Sequence, residues 1–176
     1  MYEKELEQAI RKIPDFPKKG ILFYDLSTLF LHKRVFALTV DLMAHRYLGK
    51  KVDGVLCIEA RGFVLGAAIA YRLGTGVIMA RKKGKLPWKT ISGRYSLEYG
   101  TDVIEIHADA IKKGQRILVV DDLLATGGTA STAAKLVEKC GAKVIECIFL
   151  VELLGLKGRA KLKNYKIHSI LKYEGE

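Results

Sequence analysis

Apolar residues in this chain cluster in short continuous runs, separated by segments of helical composition. The runs at 52–58, 76–80, 116–120, 144–151 and 167–171 predict strands. Stretches such as Ile117-Leu118-Val119-Val120 are apolar throughout, as expected when both faces of a sheet are covered. Between the runs, 62–73 and 127–139 read as helices, and Gly141 supplies a stop after the second. Strands alternating with helices predict an α/β fold built on parallel crossovers.

Two regions break that rhythm. The stretch 90–107 is more polar and alternates, as in Val103-Ile104-Glu105-Ile106, which predicts a short antiparallel excursion beside the sheet. The first 50 residues predict a helix over 3–12, a Pro/Gly-rich loop over 14–20, a short apolar piece at 21–24 and a long helix over 34–48. That region is too short for a core of its own, so it is expected to sit over the sheet as part of one domain.

At 176 residues, 49% hydrophobic and 28% charged, the chain has the composition of one folded domain. It has no apolar run of membrane-spanning length. Its start, Met1-Tyr2-Glu3-Lys4-Glu5, lacks the basic-then-apolar character of a secretion signal, so the expected compartment is cytoplasmic. Cys57, Cys140 and Cys147 are odd in number and lack metal-ligand spacing, which predicts packed thiols. The four histidines are scattered and suggest no metal cluster.

The net charge of +11 calls for an anionic partner. Residues 81–94 hold six basic residues and no acidic one, with Trp88 the one aromatic among them. Nucleic-acid binders interleave aromatics or add a recognition helix, and neither is evident here. A phosphorylated small molecule is the expected partner, with no nucleic acid and no membrane.

The sharpest local signal runs from Ile117 to Thr129. An apolar strand ends in Asp121-Asp122, a turn of small residues follows, and a helix begins. Ligands of open α/β sheets bind at the carboxyl ends of strands. Carboxylates placed there accept hydrogen bonds from a diol such as a ribose, and a break in strand alternation would let both face one ligand. The backbone of Ala125, Thr126, Gly127, Gly128 and Thr129, with two hydroxyls at a helix start, suits a phosphate. The bland alternative is that Thr126 or Thr129 only caps the helix. A second anion site is expected where Glu59-Ala60-Arg61-Gly62 follows a strand: Arg61 can grip phosphate oxygens in two places and Gly62 admits close backbone approach.

These segments, taken with Pro14-Asp15-Phe16-Pro17, Gly20-Ile21-Leu22-Phe23, Arg81-Lys82-Lys83-Gly84-Lys85-Leu86-Pro87, Tyr95-Ser96-Leu97-Glu98-Tyr99-Gly100 and Val151-Glu152-Leu153, resemble the type I phosphoribosyltransferases, and among them the adenine phosphoribosyltransferases. The resemblance runs nearly end to end. It implies a mainly parallel five-stranded sheet with flanking helices, a flexible lid over 81–100 and a small base-binding hood over 1–33. It implies transfer of a phosphoribosyl group from phosphoribosyl pyrophosphate (PRPP) to adenine, giving AMP and pyrophosphate. Magnesium would be held mainly by substrate oxygens and water, with no direct protein ligand, and the enzyme would be a homodimer.

Residue roles follow from the same resemblance. Asp121 and Asp122 would bind the ribose hydroxyls, and the turn after them the 5′-phosphate. Arg61, Gly62, Arg81, Lys82 and Lys85 would hold pyrophosphate, with Arg81 acting across a dimer interface. The loop at Glu59 often carries a cis peptide in such enzymes. Gly84 and Gly93 would let the lid close, and Trp88 would cover the closed site or an interface. Glu98 would manage the purine proton, helped by Tyr99. Phe23 would stack on the base, Leu153 would close its other face, and backbone groups of Leu22 and Tyr24 would read its edge. Tyr24 departs from the Arg found in many relatives. Two rival readings stay open: a hypoxanthine or guanine transferase, and a regulator that senses PRPP.

Overall fold

The computed structural model describes residues 2–97 and 100–174. A helix, α1 (Tyr2–Ala9), leads into a two-stranded antiparallel ribbon of β1 (Arg11–Pro14) and β2 (Leu22–Asp25). The expected helix over 3–12 therefore stops early. Its end is captured by a tertiary partner: the Thr28 hydroxyl donates to the Ala9 carbonyl (2.7 Å) and accepts from the Arg11 amide (3.1 Å). Local helical periodicity carries no trace of that side chain. A short helix, α2 (Ser27–Leu31), precedes α3 (Lys33–His45), whose start is capped by His32 Nδ1 accepting from the Val35 amide.

Five strands form the parallel centre: β3 (Gly54–Ile58), β4 (Val77–Lys82), β7 (Arg116–Leu124), β8 (Lys143–Leu153) and β9 (Ile167–Tyr173), in the order β4-β3-β7-β8-β9. The crossover helices α4 (Gly62–Leu73) and α5 (Gly128–Lys139) lie where the sequence places them. Gly74 ends α4 in the left-handed region (φ 65°), a conformation that costs glycine nothing. One core packs on the α3–α4 side and includes Leu118 and Val120; the other packs on the α5 side and includes Ile117 and Val119. Adjacent strand residues thus feed opposite cores, which is why the run is apolar without a break.

The antiparallel excursion does not hang free. Strand β5 (Thr90–Leu97) pairs with β6 (Gly100–His107), and β6 joins β4 through Arg81 opposite Glu105 and Lys82 opposite Ile104. The sheet therefore has seven strands rather than five. Residues 90–94 of the basic run are strand, and Gly93 is a packing contact rather than a hinge: a Cβ there would lie 2.4 Å from Thr132 Cγ2 on α5. Gly84, by contrast, sits in a turn at φ 79°.

Candidate active site

Strand β7 carries its pairing with β8 through to Leu124, beyond the aspartates. The expected break in alternation across Asp121-Asp122 is present: Val120 and Leu123 both pack with the α3–α4 core, whereas Val119 and Leu124 pack with the α5 core, and the two carboxylates take different neighbours. Asp121 borders a small cavity of about 80 Å³ together with Ala125, Thr126, Gly127, Gly128 and Thr129. Asp122, 4% exposed, points to the guanidinium of Arg61, with Oδ2 2.7 Å from Nε in an ion pair. Burial raises the Asp121 carboxyl well above its ordinary value, and the neighbouring Asp122 charge adds to the effect.

The turn after Asp122 has the form of an anion cradle. Gly127 is left-handed (φ 74°) at the N-cap of α5, and no side chain bonds to the helix there. Thr126 and Thr129 are therefore not capping groups, and the first-turn amides of a twelve-residue helix keep no intrahelical acceptor. The Tyr95 hydroxyl donates to Asp102 at 3.0 Å, and the Thr132 hydroxyl on α5 donates to the Arg94 carbonyl at 3.4 Å, which ties the β5–β6 hairpin to the helix that starts at the cradle.

A second cavity of about 350 Å³ adjoins it through Leu123 and is lined by Ile21, Leu22, Phe23, Tyr24, Arg61, Leu153 and Leu156. The four residues expected to enclose the base are all present in its wall. Arg61 closes one side, its guanidinium carbon 5.7 Å from the centre of the Phe23 ring. Phe23 is buttressed edge-on by Phe16 at 5.1 Å. Tyr24 is 5% exposed and its ring stacks on Tyr173 at 4.3 Å, so its side chain is spent on packing. The departure from Arg at this position anchors β2, paired with β1 through Lys12 opposite Tyr24, to β9.

Arg81, Lys82 and Lys85, expected to hold pyrophosphate, converge on Glu59. Its carboxylate accepts from the Lys82 amide (2.8 Å) and the Lys85 ammonium (2.5 Å), and lies 3.4 Å from Arg81 Nε. Burial pushes the Glu59 carboxyl up, but these donors outweigh it and hold it below its ordinary value. The Lys82 ammonium also reaches Asp102 at 3.4 Å. The Glu59–Ala60 peptide is cis, and Arg61 and Gly62 follow it directly. A Cβ on Gly62 would meet Asp121 Oδ1 at 2.9 Å, so this glycine is required for α4 to start against the aspartates. Glu98 and Tyr99 lie outside the described residues.

Sequence reasoning missed the floor of the cradle. A Cβ on Gly158 would lie 2.2 Å from the Ala125 carbonyl oxygen, and one on Gly127 would lie 2.3 Å from the Gly158 carbonyl oxygen. Leu123 and Leu156 in the base cavity were also unmarked. The only hint was a pair of glycines in Leu154-Gly155-Leu156-Lys157-Gly158 after an apolar strand.

Residues 28–173 match the phosphoribosyl transferase domain. The adenine phosphoribosyltransferase of Syntrophotalea carbinolica is 56% identical over 170 residues, covering 97% of this chain and 99% of the relative. Among solved structures, that of the adenine phosphoribosyltransferase from Thermoanaerobacter pseudethanolicus superposes with a TM-score of 0.93 at 50% identity, over 97% of this chain and 99% of the other. The enzyme from Saccharomyces cerevisiae, solved with an imino-altritol bisphosphate and adenine, superposes with a TM-score of 0.90 at 38% identity, over 96% of this chain and 97% of the other.

Proposed function

The chain belongs to the phosphoribosyltransferase family, and from that premise we propose that it makes AMP and pyrophosphate from adenine and PRPP, as an enzyme of purine salvage. The observation that carries this reading is the adjacency of two cavities through Leu123: an apolar slot with an aromatic wall, and a cradle of helix-start amides bordered by a carboxylate. A purine and a 5′-phosphate joined by a ribose need that arrangement.

The 5′-phosphate rests on the amides of Ala125–Thr129, and the ribose hydroxyls donate to Asp121 and Asp122. Phe23 and Leu153 sandwich the base, while Arg61 turns from Asp122 toward the diphosphate. Arg81, Lys82 and Lys85 are held in reserve by Glu59 and meet the same anion. As the bond to pyrophosphate stretches, positive charge grows on the ribose carbon beside the two aspartates, and their field favours that state. Fixing both reactants in line supplies much of the remaining acceleration. Glu98 manages the proton of the purine imidazole edge, with Tyr99 next to it in the chain.

The donors near the phosphate cradle are carboxylate and hydroxyl oxygens, which suit magnesium arriving on PRPP oxygens and water. When bound, it neutralises diphosphate charge. A homodimer is supported by the outer face of α4 and β4, where Val64, Tyr71, Val77 and Met79 are exposed. Arg81 continues that face of β4, in keeping with a role across the interface. No helix among the described residues is long and apolar enough to cross a membrane, and the three free thiols fit a reducing compartment such as the cytoplasm.

Pyrophosphate release from PRPP, measured with adenine, hypoxanthine and guanine separately, tests the proposal. Adenine alone should give rapid release; equal release with hypoxanthine would overturn the assignment of the base.

A further inference from the structure

The end of β8 contains an ion pair between a buried carboxylate and a half-exposed arginine, and neither residue lines the two cavities. Glu152 is 3% exposed and receives both arms of Arg159, Nε to Oε1 at 2.6 Å and Nη2 to Oε2 at 2.7 Å. Ser169 on β9 donates to the same carboxylate at 2.5 Å. Burial pushes the Glu152 carboxyl up, yet these hydrogen bonds from Arg159 and Ser169 bring it below its ordinary value, so it is the charged partner of the pair. The pair closes the turn that runs from Leu153 to Gly158.

Gly158 is the residue before Arg159, and it forms the floor under Ala125 and Gly127. With prospective Cβ distances of 2.2 and 2.3 Å, loop and floor are in backbone-to-backbone contact, and neither can approach the other. Leu162, buried in the α5-side core, holds the far end of the short helix that begins at Gly158, and the Arg159–Glu152 contact ties its near end to β8. A planar two-armed contact fixes direction as well as distance, which an apolar pair or a lysine would not.

We propose that Arg159, clamped by Glu152 and Ser169, is a positioning residue that sets the height of the 5′-phosphate loop through Gly158. This rests on the reading of Ala125–Thr129 as the phosphate site. Arg159 itself contacts no substrate. Its loss lets the floor drop and splays the loop amides, weakening phosphate binding in ground state and transition state alike.

The test uses ribose 5-phosphate as a probe of that loop, with calorimetry on the intact enzyme, and steady-state kinetics alongside. In R159A, ribose 5-phosphate affinity and KM for PRPP should worsen by roughly ten- to a hundredfold. The value of kcat at saturating PRPP, and KM for adenine, should stay within about twofold. R159K should fall in between. Unchanged ribose 5-phosphate affinity in a folded R159A, or an equal loss of adenine affinity, overturns the proposal. Should R159A fail to fold, G158A decides. Its Cβ displaces the loop while leaving the ion pair whole, and ribose 5-phosphate affinity equal to wild type there overturns it as well. If the wild-type enzyme itself does not bind ribose 5-phosphate, the phosphate-loop reading falls and the brace with it; the brace fails alone where wild type binds and the variants bind equally.

Discussion

Arg61 Nε lies 2.7 Å from Asp122 Oδ2 while the same guanidinium packs over the Phe23 ring, so one side chain links the aspartate pair to the aromatic wall of the larger cavity. Asp122 is almost wholly buried, and Arg61 is its partner. R61A leaves that carboxylate without one. Because the Arg61 side chain is itself 43% exposed, the cost should be nearer 1–2 kcal/mol than that of a fully buried pair. A lower midpoint in urea, together with a raised KM for PRPP, is the expected result.

Phe23 supplies a flat wall of the cavity proposed for the base, and stacking of a base on an aromatic ring is worth about 1–3 kcal/mol. F23A should therefore raise KM for adenine by roughly five- to a hundredfold. KM for PRPP should hardly change, because the phosphate cradle lies on the other side of Leu123. Initial rates with each substrate varied in turn give both numbers.

Asp121 is half-buried beside another carboxylate, and its pKa is raised in the folded state. Between the ordinary aspartate value and the raised one, the folded chain holds a proton that the unfolded chain has released. Stability contributed at this position is thus present at low pH and lost as pH rises through the folded value. D121N should be more stable than wild type at neutral pH and much less active. The difference in stability should shrink as the pH falls below the raised value. Denaturant titrations from acid to neutral pH would follow it.

A Cβ on Gly66 would lie 2.1 Å from Cys57 Sγ in the core between α4 and β3. G66A should cost about 1–3 kcal/mol by overpacking. C57A made in the same chain should recover a good part of that, since it removes the colliding atom. Thermal melts of the two single variants and the double variant give the coupling directly.

Glu98 is carried by sequence resemblance. E98L should cut turnover by about 10²–10⁴-fold, the range of a positioned proton-transfer group, and leave PRPP affinity nearly intact. Turnover near wild type would remove it from that role.

What the chain made legible by itself was whatever depends on neighbours in sequence. The period of apolar residues located the central strands and crossover helices, because alternation and helical spacing are local properties of the backbone. The cluster of small residues after Asp121-Asp122 marked a left-handed turn into a helix start for the same reason: bare amides at a helix start are written in consecutive letters. Only the three-dimensional arrangement decided the rest. Thr28 ended α1 from nineteen residues away, β6 docked on β4 and widened the sheet, and Glu59 gathered Arg81, Lys82 and Lys85. Gly158 came up beneath Gly127 from 31 positions downstream in the chain. Contacts of that kind depend on which strands lie side by side, and adjacency in a sheet is set by the packing of whole elements on a shared core rather than by any one stretch of residues.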